Sequence, residues 1–249
     1  MARRKPKTTS LELFVTMVIS LCVAIIILVI RLLLFLFDLI TFYTSKYKSK
    51  SGNSFFKTYF NKGNYGEFKL YKKMIRLFPK ERVFTNLYLE GHSTDETEID
   101  VLAISPKGIY VLEMKNYSGY IYGSEKDKNW TQVFNRRRKY QFYNPLRQNY
   151  AHTKAVEQYL QIGVDQIHPA IVFSNSTKLQ KITVSDQHII IKLSELRRFV
   201  RKTERTESIK FNTEQMTRFA EKFILKENVS EEIKQRHINQ VKQLAQLNQ

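Results

Sequence analysis

The chain has 249 residues, room for one sizeable globular domain plus an appendage, and its 43% hydrophobic and 13% aromatic content excludes a disordered chain. A net charge of +18 and a pI of about 9.8 call for an anionic partner: nucleic acid, an acidic membrane surface, or both. The lone cysteine, Cys22, excludes a disulfide framework and a thiol-based zinc site within one chain.

Residues 13–30, LFVTMVISLCVAIIILVI, carry no charge, and after Arg31 the apolar character resumes through LLLFLFDLI. About 20 such residues span a bilayer core, so a single-pass transmembrane helix is expected. A cleaved signal peptide competes, because ARRKPK precedes the run. The run is too long for its apolar region, and no small-x-small cleavage site follows. Arg3, Arg4, Lys5 and Lys7 flank one side; Arg31, Lys46, Lys48 and Lys50 flank the other. Flanking charge therefore leaves orientation open. A cytoplasmic domain is expected only because nucleic acid and magnesium are there.

The expected division is a basic tail and anchor over 1–43, a basic juxtamembrane linker over 44–64, a globular domain over 65–205 and C-terminal helices over 206–249. Gly66-Glu67 opens a helix with Phe68, Tyr71, Ile75 and Phe78 at helical spacing, stopped by Pro79. Strands are expected at 83–90, 97–104 and 109–115. A second hairpin runs from Tyr120 through Trp130 to Phe142 and carries Arg136, Arg137, Arg138 and Lys139. Asn144-Pro145 caps and starts a helix to Ile162. Short strands at 168–173 and 188–192 and helices at 194–202, 213–226 and 230–247 complete the chain. This mixed order predicts an α/β architecture, with helices around a central sheet.

The chemistry concentrates in residues 97–115, TEIDVLAI-SPKG-IYVLEMK. Ser105-Pro106-Lys107-Gly108 reads as a turn, with proline second and glycine fourth. A regular hairpin then places Ile104 opposite Ile109, Leu102 opposite Val111 and Asp100 opposite Glu113. Like charges there, about 5 Å apart, are destabilising unless a cation joins them. Lys115, two residues on, shares the face of Glu113. Two carboxylates and a lysine suit phosphodiester hydrolysis: the acids hold a hard divalent cation, and the lysine orients water or stabilises developing charge. Each residue also has a plainer reading. Lys115 faces Glu98 in the same register and would form a cross-strand ion pair. Glu67 in a first turn would compensate the helix dipole. Gln148 would be a solvent-facing amide, Arg136–Lys139 a solvated turn, and His152, His168 and His188 structural.

Taken in order, the motifs resemble the nuclease-related domain (NERD) family within the PD-(D/E)XK phosphodiesterase superfamily. Gly66-Glu67, Glu98-Ile99-Asp100, Pro106-Lys107-Gly108, Glu113-Met114-Lys115-Asn116-Tyr117-Ser118-Gly119, Trp130 and Asn144-Pro145-Leu146-Arg147-Gln148 match its run over roughly residues 62–175. The resemblance implies a restriction-endonuclease-like mixed sheet flanked by helices. It further implies an active-site set of Glu67, Asp100, Glu113, Lys115 and Gln148, with Glu67, Asp100 and Glu113 binding Mg2+ or Mn2+. Arg136, Arg137, Arg138 and Lys139 are the expected nucleic-acid contacts. A membrane-anchored nuclease acting on DNA or RNA is therefore expected; the rival is a membrane-tethered scaffold that binds nucleic acid without cutting it.

Overall fold

The computed structural model describes residues 9–91, 96–135, 137–227, 235 and 239. Arg136 and the helix expected over 230–247 lie outside the fully described stretches. The chain divides into two units, residues 1–44 and residues 45–249.

The first unit is one helix, α1 (Ser10–Thr44). Thr9 and Glu12 start it reciprocally. The Glu12 N–H donates to Thr9 Oγ1 at 3.4 Å, and the Thr9 N–H donates to Glu12 Oε2 at 2.9 Å. At 1.5 Å per residue α1 is about 50 Å long, against a bilayer core of about 30 Å. Among the described residues it is the helix long and apolar enough to cross a membrane.

The second unit begins earlier than the expected domain boundary. The segment expected as a linker folds into α2 (Tyr47–Ser51), α3 (Phe55–Phe60) and the first turn of α4 (Lys62–Met74). The interleaving of Lys with Phe and Tyr, which reads as a solvated leash, is instead an amphipathic pattern on short helices. Tyr47 is buried against Phe68 and Tyr71, with ring centroids 4.9 and 5.1 Å away. Lys50 is buried as well: its Nζ lies 2.8 Å from Glu227 Oε1 and 4.5 Å from the Phe84 ring centre. Asn61 caps α4 by accepting the Asn64 N–H at 3.0 Å, so Gly66-Glu67 sits in the second turn. Dipole compensation at the helix start therefore does not explain Glu67.

A five-stranded sheet in the order β1-β2-β3-β7-β9 forms the centre. Its strands are β1 (Val83–Glu90), β2 (Glu96–Ser105), β3 (Gly108–Lys115), β7 (Ile167–Phe173) and β9 (Ile190–Lys192). The β1-β2-β3 pairs are antiparallel; β7 joins β3, and β9 joins β7, in parallel. The hairpin register is as expected, with Ile104 opposite Ile109 and Leu102 opposite Val111. On one face α5 (Pro145–Leu160) and α7 (Thr213–Ile224) bury Ala155, Val156, Leu160, Phe219 and Phe223 against Phe84, Leu102, Ile104, Ile109 and Val111. Strand alternation turns Tyr110 to the other face, where it meets Phe78 and Phe199 of α6 (Leu196–Thr206).

The expected second hairpin is part of a second sheet. Strands β4 (Gly119–Ser124), β5 (Asn129–Asn135) and β6 (Arg138–Tyr143) form an antiparallel meander, and β8 (Thr177–Thr183) adds in parallel beside β4. The strand order is β6-β5-β4-β8. Trp130 is fully buried here and stacks on Phe173 at 6.4 Å with nearly parallel planes. The fold is thus mixed α/β, with two mixed sheets flanked by helices.

Candidate active site

Strands β2 and β3 pair regularly as far as Val101 opposite Leu112, and Asp100 and Glu113 lie one step beyond. There the Asp100 side chain reaches into the ladder, its Oδ2 accepting the Met114 N–H at 2.7 Å. The β1–β2 ladder also skips Asn86 and Asp100, between the pairs Thr85/Val101 and Leu87/Ile99. Asn86 has φ +51°, a left-handed conformation that asparagine tolerates better than most residues. Its Nδ2 donates to Glu98 Oε1 at 2.8 Å and to Glu67 Oε2 at 3.3 Å.

Glu67 arrives because α4 comes unusually close to the end of β3. A Cβ at Gly66 would lie 2.5 Å from Asn116 Cβ and 3.2 Å from Met114 Cγ. Only glycine permits that approach, and it puts the next residue, Glu67, beside the strand end.

Glu113 is the most deeply buried of these acids, at 1% exposure. Lys115 Nζ lies 2.6 Å from its Oε1, and His152 Nε2 lies 3.0 Å from its Oε2. Lys115 also donates to Gln148 Oε1 at 2.9 Å, and His152 Nδ1 lies 2.7 Å from Thr97 Oγ1. Helix α5 supplies both Gln148 and His152, one turn apart on the same face.

These contacts drive the acids apart electrostatically. Burial alone raises the Glu113 pKa, but the Lys115 charge and the His152 hydrogen bond outweigh it and hold it at about 2. Burial, followed by the neighbouring Glu98 charge, pushes Glu67 up to about 8. Asp100 is raised by burial, then by the charges of Glu113 and Glu67. Lys115 is raised: Glu113 beside it outweighs a burial that by itself favours the neutral amine. One lysine therefore satisfies one carboxylate, while Asp100 and Glu67 retain a demand for positive charge.

That donor set, carboxylate oxygens with unrelieved repulsion, fits a hard divalent cation such as Mg2+ or Mn2+. Among the described residues, no three His, Cys, Asp or Glu side chains are yet drawn together tightly enough to enclose one. Lys115 instead occupies the Glu113 oxygen. The structure brings Glu67, Asp100, Glu113, Lys115 and Gln148 into one cluster. Arg137, Arg138 and Lys139 lie elsewhere, exposed where β5 turns into β6.

Residues 62–174 match the family model described as nuclease-related domain. This segment is a nuclease-related domain. The chain is also 40% identical over 134 residues to an uncharacterized protein of Bacillus anthracis, a match covering 52% of this chain and 61% of that relative. The chain thus spans about three-fifths of the relative's length. A crystal structure of a protein of unknown function aligns with 74% of this chain and 98% of its own, at 14% identity and a TM-score of 0.32.

Sequence reasoning missed Asn86, Glu98 and His152 as members of the nuclease-related domain's acid cluster. Each had a signal. His152 is four residues after Gln148, Glu98 is two residues before Asp100, and Asn86 interrupts a largely apolar strand, VFTNLYLE. The plainer reading of Lys115 as a partner for Glu98 is replaced by its pairing with Glu113.

Proposed function

We propose that this protein is a membrane-anchored, metal-dependent nuclease hydrolysing phosphodiester bonds of DNA or RNA. The observation carrying this reading is the convergence of Glu67, Asp100, Glu113, Lys115 and Gln148 at one strand end inside a nuclease-related domain: Lys115 pairs with Glu113 at 2.6 Å, while burial and neighbouring carboxylates raise Asp100 and Glu67. Asp100, Glu113 and Glu67 would hold Mg2+ or Mn2+. When bound, that ion supplies a water of lowered pKa and neutralises charge on the phosphate. Lys115 presents a fixed ammonium to the charge that develops in the transition state. Gln148 holds Lys115 in place and offers an amide N–H to a phosphate or to the attacking water. His152, steadied by Thr97, fixes one oxygen of Glu113 and so aims the other at the reaction. Arg137, Arg138 and Lys139, with Arg136, would contact the nucleic-acid backbone.

Full-length protein in detergent, incubated with plasmid, linear DNA and RNA under Mg2+, Mn2+ or EDTA, tests this. Cleavage that requires the metal and is abolished by Asp100→Asn supports the nuclease. Tight binding without cleavage under every metal supports the rival scaffold. We further propose that the domain faces the cytoplasm. Protease added to intact cells then leaves it whole; digestion without lysis would place it outside.

A further inference from the structure

The second sheet has a face of which the proposed function uses only Lys139. Strand registers align its outward positions: Lys139, Val133, Tyr120 and Lys178 form one row across the sheet, and Gln141, Thr131, Tyr122 and Lys181 form the next. Tyr143, paired with Asn129, continues the same face. The opposite face carries Ile121, Trp130, Phe142 and Leu179 into the core, so alternation leaves the tyrosines and lysines outward. Tyr120 is 36% and Tyr143 47% exposed, and Tyr120, Tyr122 and Lys139 line one open concavity. Lys178 Nζ lies 5.0 Å from the Tyr120 ring centre. None of the described outward positions is acidic.

We propose that this face is a docking surface for single-stranded nucleic acid. The inference rests on nucleic acid being the partner and adds which form of it is held. Exposed tyrosine rings can stack only against bases whose faces are free, and duplex bases are stacked on each other. Lys139 at one end of the first row and Lys178 and Lys181 along the opposite margin match a phosphate backbone running beside stacked bases, and no carboxylate at the described outward positions opposes that attraction. Strand β4 starts four residues beyond Lys115, so the sheet grows directly out of the acid cluster and can hold a strand beside it.

The test is fluorescence anisotropy of full-length protein in detergent and EDTA, using labelled oligothymidylate and oligouridylate of about 20 nucleotides and a duplex of equal length. The single strands bind more tightly than the duplex. Tyr120→Ala and Tyr122→Ala each weaken single-strand binding roughly five- to 150-fold, whereas Tyr120→Phe, which keeps the ring, binds like wild type. Should either alanine variant lose the buried Trp130 fluorescence, Lys139→Gln, Lys178→Gln and Lys181→Gln together carry the test. They reduce the slope of log affinity against log salt by about 2, near 0.7 per lost phosphate contact. Equal affinity for duplex, or tyrosine and lysine variants that bind single strands like wild type, overturns the proposal. The nuclease reading is judged separately. Tyrosine-dependent binding by a protein that cleaves nothing keeps the surface and removes the enzyme; metal-dependent cleavage with no tyrosine dependence does the reverse.

Discussion

Glu113→Gln and Asp100→Asn are both isosteric changes of an acid to an amide, yet they should move stability in opposite directions. The Glu113 carboxylate is held at about 2 against an ordinary 4.5. Its ionised form therefore stabilises the folded state by about 3 kcal/mol at neutral pH. A folded pKa below the unfolded one means that this stability is present above about 4.5 and is lost as pH falls through about 2. Replacing Glu113 by Gln removes it and takes from the Lys115 ammonium, only 13% exposed, the carboxylate it pairs with. A loss of about 3 kcal/mol lowers Tm by roughly 6–12 °C in a unit of this size. Asp100 is the reverse case, because its charge is opposed by burial and by Glu113 and Glu67. An asparagine there still accepts the Met114 N–H and brings no charge, so Tm stays level or rises. Thermal unfolding of the full-length protein in EDTA, followed by Trp130 fluorescence at neutral pH, reads both variants. A Glu113→Gln protein as stable as Asp100→Asn would refute the assignment of Lys115 and His152 as partners that ionise Glu113.

Mg2+ or Mn2+ should raise the Tm of the wild type, because a cation bound by the folded state's carboxylates stabilises that state, and Asp100→Asn should lose most of that gain in the same assay. Glu67 has a folded pKa raised to about 8, so the native state holds the extra proton and stability falls as pH rises from 4.5 through about 8. Over that window the Tm advantage of Glu67→Gln over wild type should widen; a constant difference would contradict it. Gly66→Ala forces a methyl to within 2.5 Å of Asn116 Cβ and should cost roughly 1–3 kcal/mol by denaturant titration, with cleavage falling as Glu67 is displaced. Lys115→Ala should reduce cleavage far more than nucleic-acid binding; equal losses would make Lys115 a simple phosphate contact.

The hairpin was legible because its turn chemistry and its alternating apolar pairs point to one register. The helix α5 was legible for an equally local reason, its Asn-Pro cap. The helices α2 and α3 were not, since Lys and Tyr in a short stretch describe a leash and an amphipathic helix equally well. What separates them is long-range: Phe68, Tyr71 and Glu227, far along the chain, close over Tyr47 and Lys50. The strand β8 escaped because its alternation, Leu179 and Ile182 among lysines, is broken by a bulge opposite the Ile121–Tyr122 step. His152 escaped because no spacing to another ligand reveals a residue whose role is to hold an acid 39 positions away.

Asn86 narrows what this chain can become. A left-handed backbone inside a strand admits chiefly Gly, Asn and Asp. Glycine keeps the path of the chain but abandons both amide contacts, leaving Glu67 and Glu98 facing one another undamped. Aspartate keeps the path too, but replaces a donor with one more negative charge in a pocket already short of positive ones. Asparagine alone meets the steric and the electrostatic demand together. A descendant that drifts at this position should therefore betray itself by compensating elsewhere, by giving up Glu98 or by gaining a cationic side chain beside Glu67.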